Sequence, residues 1–557
     1  MIAQTTLTVS RDGQAHCTMP TGRECSRPGY VLIAVLLVVV VLSYASYRYL
    51  DAMTEEKIRS YRSTEQVQVR LHAISGIHYA MGALSDPDTM TNTLNNVYTD
   101  NSAFQNQIAG DGTGPRGGGR FALPNVTNVG NGQYSTTYGA SDESGKININ
   151  ALILSDPTGN VLHNALMLLP NMTEEIADAI VDWLDVDDTP RASGAESSEY
   201  TNYSPKNGPI NTLDELLLVR GVTAQLLYGT DFNRNGVADS YESQFGDFSR
   251  GWSDYITCYG REPNIDLSGA QRIDLTNSTL TDLYDQLTPV SQELADYVLA
   301  YRMFGSSPVG SNSSSSGGST TTTKVTTVTV GQNGSTTMVV TSGPSNNNQS
   351  SQTMTASAEQ LTAAVQLALS TGTASSKQKP KSYYDLVNTQ VTLPKAPGQP
   401  ANAPTYVYPS PLNKPANLNQ LLPTLLDKTT TTPGTELIPR VNINTAPYEV
   451  LMAVPGMTED MANNIIASRT GLDPTDPATT TGAWLVTTLN MPVAVFNQMT
   501  KYITGRTQLY RVQSLGYFNN GGPTARFEAI IDTNQGTPRI VYFRDLTDLG
   551  RGFSPPR

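Results

Sequence analysis

The sequence predicts an α+β fold in which one long N-terminal helix and an antiparallel sheet are interrupted by a large, mostly α-helical insertion carrying helix-hairpin-helix units. Three observations predict it. An apolar stretch at residues 31–42 runs into an amphipathic continuation with no proline before Pro87. Short alternating runs lie at both ends of the body, at 119–150 and again from about 508 onward. Between them a helical phrase occurs twice, each copy preceded by an Asn-rich lead-in.

The composition narrows the function classes. A chain of 557 residues is long enough for several folded units, and its net charge of −13 makes nucleic acid a poor partner. Only 15% of residues are charged and 79 are Gly or Pro (45 and 34), a polar, turn-rich balance suited to an extracytoplasmic surface. Cys17, Cys25 and Cys258 are too few for a disulfide scaffold or a Cys-based zinc cluster. His16, His72, His78 and His163 show no metal-ligand spacing, and no Gly-x-Ser-x-Gly elbow occurs. Gly139 to Lys146 fails as a phosphate loop, because Ile147 stands where a magnesium-binding hydroxyl is needed. The chain is therefore expected not to be an enzyme.

At the N-terminus no charge appears from Pro28 to Tyr47, enough residues to span a bilayer core. Arg23 and Arg27 precede this stretch and favour a cytoplasmic N-terminus, against which Arg48 follows it. A cleaved signal peptide ending at Ser43-Tyr44-Ala45 is the competing reading. It accounts poorly for the continuation, where Met53, Ile58, Tyr61, Val69, Ile74 and Ile77 keep a mostly helical spacing. From Tyr30 to Leu84 a continuous helix would be about 80 Å long at 1.5 Å per residue.

A polar leader ending Arg27-Pro28-Gly29, then Tyr30 and this apolar helix, resembles the N-terminus of type IV prepilins and pseudopilins. The resemblance implies a leader at 1–29, cut after Gly29 by a membrane-bound prepilin peptidase, with methylation of Tyr30. It also implies a transmembrane and long N-terminal helix at 30–84 and a pilin-like sheet. Most pilins carry Glu at the fifth mature position, which here is Ala34. An apolar residue there is similar to one branch, the protein K family of type II secretion minor pseudopilins.

The sheet is expected in two parts. The first, 85–150, contains alternating runs such as Gln133–Tyr138; the second, 501–557, reads as a meander of strands near 508–517, 524–533 and 538–544. Between them Leu166–Ile180 aligns without a gap to Leu451–Ile465, with lead-ins at Ile147–Ala151 and Val441–Ala446, and weaker relatives at Asn211–Val222 and Leu287–Arg302. Apolar helix, Pro-Gly turn, capping Thr and a second helix make a helix-hairpin-helix. Alone, such a hairpin suggests nucleic-acid binding. Here Thr458 replaces the expected second glycine and Glu459 and Asp460 follow it; residues 436–469 carry two Arg against four acids, a local charge of −2. No nucleic-acid partner is expected.

Three further phrases resemble the inserted domain of protein K: Ile180-Val181-Asp182-Trp183-Leu184-Asp185, Gly194-Ala195-Glu196-Ser197-Ser198-Glu199-Tyr200, and Glu215-Leu216-Leu217-Leu218-Val219-Arg220-Gly221. The resemblance covers about 27–305 and 434–557. It places an inserted α domain at 151–304 and its second part, with a helix-hairpin-helix, at 381–500. Residues 305–380, rich in Ser, Thr, Gly and Asn up to Ala356, read as a low-complexity disordered linker, with a short helix at Glu359–Leu369.

Asp231, Asn233, Asn235, Val237, Asp239 and Glu242 occupy the ligand positions of a twelve-residue calcium loop, with Gly236 at the sharp turn. Asn at two positions lowers the charge and suits external, millimolar calcium. Asp182, Asp185, Asp187 and Asp188, with Glu196, form a second acidic group that reads equally as a solvated loop or a second metal site. The resemblance to protein K implies calcium in this insert.

The leading expectation is a non-enzymatic minor pseudopilin, capping or initiating the type II secretion pseudopilus and supporting protein export across the outer membrane. Its partners would be other minor pseudopilins at the tip, the inner-membrane assembly platform and the prepilin peptidase. It would cross the inner membrane once, with its body periplasmic. The alternative is a membrane-anchored helix-hairpin-helix receptor for DNA uptake.

Overall fold

The computed structural model describes residues 30–309 and 353–556, apart from 86–88, 90–93, 95, 113, 115, 131–132, 246–248, 278, 373, 396–397, 401–402 and 535. The leader call at 1–29 and Gly29 with it lie outside the described residues, as does 310–352 of the linker call. The chain divides into two units, at Val67 and Gln68.

In the first unit, residues 30–67 are helical throughout and belong to the helix Tyr30–Ser85, here α1. Among the described residues it is the one helix long and apolar enough to cross a membrane, with a mean hydropathy of 2.4 in its apolar window. Val31 to Leu42 expose their side chains. Beyond them the helix turns polar and carries Arg48–Asp51 and Arg59–Glu55 pairs one turn apart.

The second unit begins with the last turns of α1. Val69, Ala73, Gly76, Ile77, Ala80 and Leu84 recur every three to four residues and are buried, so one face of the helix meets a sheet. That sheet comprises β1 (Gln107–Gly110), β2 (Gly119–Ala122), β3 (Ser141–Asp142), β4 (Leu509–Phe518), β5 (Ala525–Asp532) and β6 (Arg539–Asp545). Its order is β1-β2-β4-β5-β6, antiparallel throughout, with β3 also pairing β4. β4 therefore joins strands from both ends of the chain, and the expected meander is present within a residue or two at each end. Every residue of β5 is buried, as a central strand requires, whereas β6 alternates exposed and half-buried along the edge. Gly516 sets how closely helix and sheet approach: a Cβ there would lie 2.1 Å from the Val69 carbonyl oxygen.

Between β3 and β4 one hydrophobic core runs from Ile147 to Ile503. Short pairings stitch its two halves together: Glu262–Pro263 with Glu436–Leu437, and Ile273–Asp274 with Thr429–Thr430. Three copies of the repeat share one local structure, and the fourth, Leu287–Arg302, shares only its cap. Asn171, Gly221 and Gly456 take the same left-handed turn, at φ of 56°, 84° and 87°. Two residues later Thr173, Thr223 and Thr458 accept a backbone N–H from Ile176, Leu226 and Met461 and so cap the following helix. Ser291 caps Gln292–Phe304 in the same way.

The linker expectation needs correction at both ends. Ser306–Pro308 and Thr353–Thr355 are outer strands of a four-stranded sheet completed by Thr389–Thr392 and Thr405–Pro409. Helix Ala358–Ser370 begins with a Ser357–Gln360 capping box and buries Leu361 and Val365. Thr362 Oγ1 donates to Asp296 of the neighbouring helix at 2.6 Å. The short helix expected at Glu359–Leu369 is therefore present, but docked rather than part of a free linker, because one capping box and two apolar residues four apart suffice to dock a helix on an existing core.

Candidate metal centre

The loop from Asp231 to Glu242 follows helix Ala224–Tyr228 and closes into a ring of polar side chains. Arg234 (φ 57°) and Gly236 (φ 72°) reverse the chain in left-handed conformations. Asp231 then accepts the N–H groups of Asn235 (3.0 Å) and Gly236 (2.7 Å), while Asn235 Oδ1 accepts that of Val237 at 2.8 Å. The side-chain amides of Asn233 and Asn235 both donate to one oxygen of Asp239, at 2.6 and 2.9 Å. Glu242 closes the ring, accepting from the N–H groups of Phe232 and Asp239 at 3.0 Å each. Asp231, Asn233, Asn235 and Glu242 are buried. Burial pushes the Asp231 carboxyl up to about 6, against the two backbone N–H groups that favour its charged form.

Thus the six residues read as calcium ligands share one loop, and their oxygens are the hard donors that calcium takes. Among the described residues no three His, Cys, Asp or Glu side chains form a metal-holding group by themselves. The loop's donor set accordingly depends on the two Asn amides and the Val237 carbonyl as well as its carboxylates.

The second acidic group lies at the end of helix Glu174–Leu184. Asp182 accepts the Arg191 N–H at 3.2 Å, and a Cβ on Gly194 would sit 1.8 Å from its carboxylate, so a larger residue there would have to displace Asp182. Glu196 is buried with neither carboxylate oxygen hydrogen-bonded, and Asp185 Oδ1 is in the same condition. Burial first, then repulsion from Asp182, Asp185, Asp188 and Asp187, pushes Glu196 up to about 7. Burial and the charges of Asp187 and Asp182 raise Asp185 to about 6. Asp187 and Asp188 instead turn to the Thr189 N–H and to Asn207 and Ser197. The structure thus brings Asp182, Asp185 and Glu196 inward, while Asp187 and Asp188 serve the loop itself.

The residues that hold the Asp231–Glu242 loop were not legible beforehand. Arg526 on β5 donates to the Asn233 carbonyl, Gln513 on β4 to the Arg234 carbonyl at 3.0 Å, and Asn235 to the Gly552 carbonyl at 2.7 Å. A cavity of about 220 Å³ opens beside Asp231, Asn235 and Gly236. Of the N-terminal candidates, Tyr30 and Ala34 are exposed on α1.

Residues 145–228, which hold the acidic group and end just before the calcium loop, match the family model of type II secretion system (T2SS) protein K. Over these residues the chain is similar to protein K. The resemblance to the protein K family read from the sequence holds on those residues. Residues 438–475 match a helix-hairpin-helix motif, the second copy of the repeat. Type II secretion system protein K of Dickeya chrysanthemi is 42% identical over 57 residues, which is 10% of this chain and 16% of that protein. The crystal structure of the GspK-GspI-GspJ complex from the enterotoxigenic Escherichia coli type 2 secretion system superposes with a TM-score of 0.36 at 10% identity, covering 87% of this chain and 99% of that one. The segment similar to protein K thus lies between β3 and β4, inside a sheet that packs on the end of α1.

Proposed function

We propose that this chain is a minor pseudopilin that initiates or caps the type II secretion pseudopilus and so supports export across the outer membrane. The observation that carries the reading is the segment similar to protein K interrupting a helix-and-sheet body of pilin type. The apolar part of α1 anchors the chain once in the inner membrane, with the body periplasmic. After cleavage at Gly29 and methylation of Tyr30, Ala34 offers no carboxylate to the N-terminus of a subunit above. An unpaired ammonium in an apolar fibre core is costly, which favours the first position in the fibre. Partners are then other minor pseudopilins, the assembly platform and the prepilin peptidase. The role is structural, with no reaction catalysed.

Calcium is the proposed cofactor, held by Asp231, Asn233, Asn235, Val237, Asp239 and Glu242. The ion would neutralise buried carboxylates and stabilise the insertion.

A DNA-receptor role is disfavoured by where the hairpin's cations go. Arg440 pairs with Glu262 and Arg469 donates to the Ala446 carbonyl at 2.6 Å, leaving Glu459 and Asp460 on the first turn of the second helix. The test is genetic. Removing the chain from its native host is expected to leave exported proteins in the periplasm, and restoring it is expected to release them. Normal export in its absence, with DNA uptake lost instead, would favour the receptor.

A further inference from the structure

Within the insertion, apart from both candidate metal sites, a cavity of about 320 Å³ is walled by Arg272, Arg440, Lys381 and Lys501 and by no Asp or Glu. Its position follows from the stitching of the two halves. Arg272 precedes the strand Ile273–Asp274 and Arg440 follows the strand Glu436–Leu437; the turns at Lys381 and Lys501 complete the mouth.

The nearby acids are already taken. Glu262 pairs with Arg440. Asp427 meets Arg506 at 2.7 Å and Lys428 at 3.7 Å, and Asp266 meets Lys428 at 2.6 Å. Arg272 is left over. It is 8% exposed, and its Nε donates to the Asp427 carbonyl oxygen at 2.9 Å. Among the described residues no acceptor meets either Nη group. Burial first, then the neighbouring Arg440 charge, lowers its pKa, and the nearby Glu262 and Asp427 charges only partly offset this. Lys381 and Lys501 are exposed at the rim, Lys501 Nζ lying 4.7 Å above the Tyr502 ring. In a chain of net charge −13, a buried guanidinium with both Nη groups unused beside a cavity that has lysines at its rim and no acid in its wall is not explained by the fold.

We propose that this cavity binds a small free oxyanion carrying carboxylate or sulfate-type groups. The unused edge of a guanidinium presents parallel N–H donors that such a group accepts in pairs, and the two lysines add charge at the entrance. The volume lies at the small end of ligand sites, suited to a compact dianion.

The test is calorimetric titration of the full chain in detergent, calcium present, with sulfate and with succinate. Ionic strength is held constant with chloride, so that general screening cannot imitate binding. Saturable binding of at least one probe is expected, lost in Arg272→Gln. Because that side chain is buried, a second variant pairs Lys381→Gln with Lys501→Gln on the exposed rim; it is expected to keep its melting temperature and bind about tenfold more weakly. No saturable binding of either probe, or binding unchanged in both variants, would overturn the assignment.

Discussion

The guanidinium of Arg526 donates to the backbone carbonyl of Asn233, 293 positions earlier in the chain. One residue is central in the six-stranded sheet and the other is a candidate calcium ligand, so the loop is held by the sheet rather than by its own domain alone. Burial lowers the Arg526 pKa to about 10, and its remaining Nε and Nη1 atoms have no hydrogen-bond partner. Calcium occupancy of the loop is therefore expected to stabilise the junction between insertion and sheet. At a hundredfold excess over its dissociation constant, an ion bound only by the folded form adds about 2.7 kcal/mol. Glu242→Ala is expected to remove most of the calcium-dependent rise in melting temperature, and Arg526→Met to reduce it. An unchanged rise in Glu242→Ala would move the site to Asp182, Asp185 and Glu196.

A second junction is ionic. Arg511 on β4 meets Glu143 at 2.7 Å and Glu528 at 2.8 Å, all three side chains largely buried. Burial alone would raise the Glu143 pKa, but Arg511 and Lys146 outweigh it and hold the group at about 2, below its ordinary 4.5. A depressed carboxyl stabilises the fold above its unfolded pKa, and that contribution fades as pH falls from 4.5 towards 2. Arg511→Met, which strands buried acids, is expected to cost about 3–5 kcal/mol at pH 7. The deficit against wild type in denaturant melts is expected to shrink at pH 4. A deficit independent of pH would mean that packing, not charge, is lost.

The hairpin repeat predicts equal responses at matched positions. Thr173→Ala and Thr458→Ala each remove a helix cap and are expected to cost about 1 kcal/mol. Asn171→Gly is expected to be nearly neutral, since glycine suits the left-handed turn, whereas Gly456→Val is expected to destabilise markedly. Equal melting temperatures for Gly456→Val and wild type would contradict the shared turn.

What could be read from the sequence was whatever is local. Thr173 and Thr458 announce their caps by position, and β4 to β6 are legible by alternation between Gly-rich turns. Contacts such as Arg511 with Glu143 lie 368 positions apart, and no local pattern encodes them. Between Thr353 and Pro380 the helix near Glu359–Leu369 was legible, but its docking was not: Leu361 and Val365 are too few to outweigh Ser and Thr in a composition, yet they find a core ready to receive them. Leu361→Ala is accordingly expected to cost about 2–5 kcal/mol in a denaturant melt. A cost near zero would restore the linker reading.

Processing is checked by N-terminal sequencing of the membrane-extracted protein. A mature chain beginning at Tyr30 is expected, and replacing Gly29 by a bulky residue is expected to leave the leader in place. The leader carries three Arg against Asp12 and Glu24, so its removal takes the formal charge from −13 to −14. A chain beginning at Ser46 would establish a conventional signal peptide and remove the anchor.

The most direct measurement of the central claim is the position and number of copies in an assembled fibre. Ala34 supplies no carboxylate for a subunit above, and a body with so large an insertion would clash if repeated along a shaft. Gold-labelled or fluorescently tagged protein is expected at fibre ends only, at about one copy per fibre. Labels spaced regularly along the shaft would contradict it.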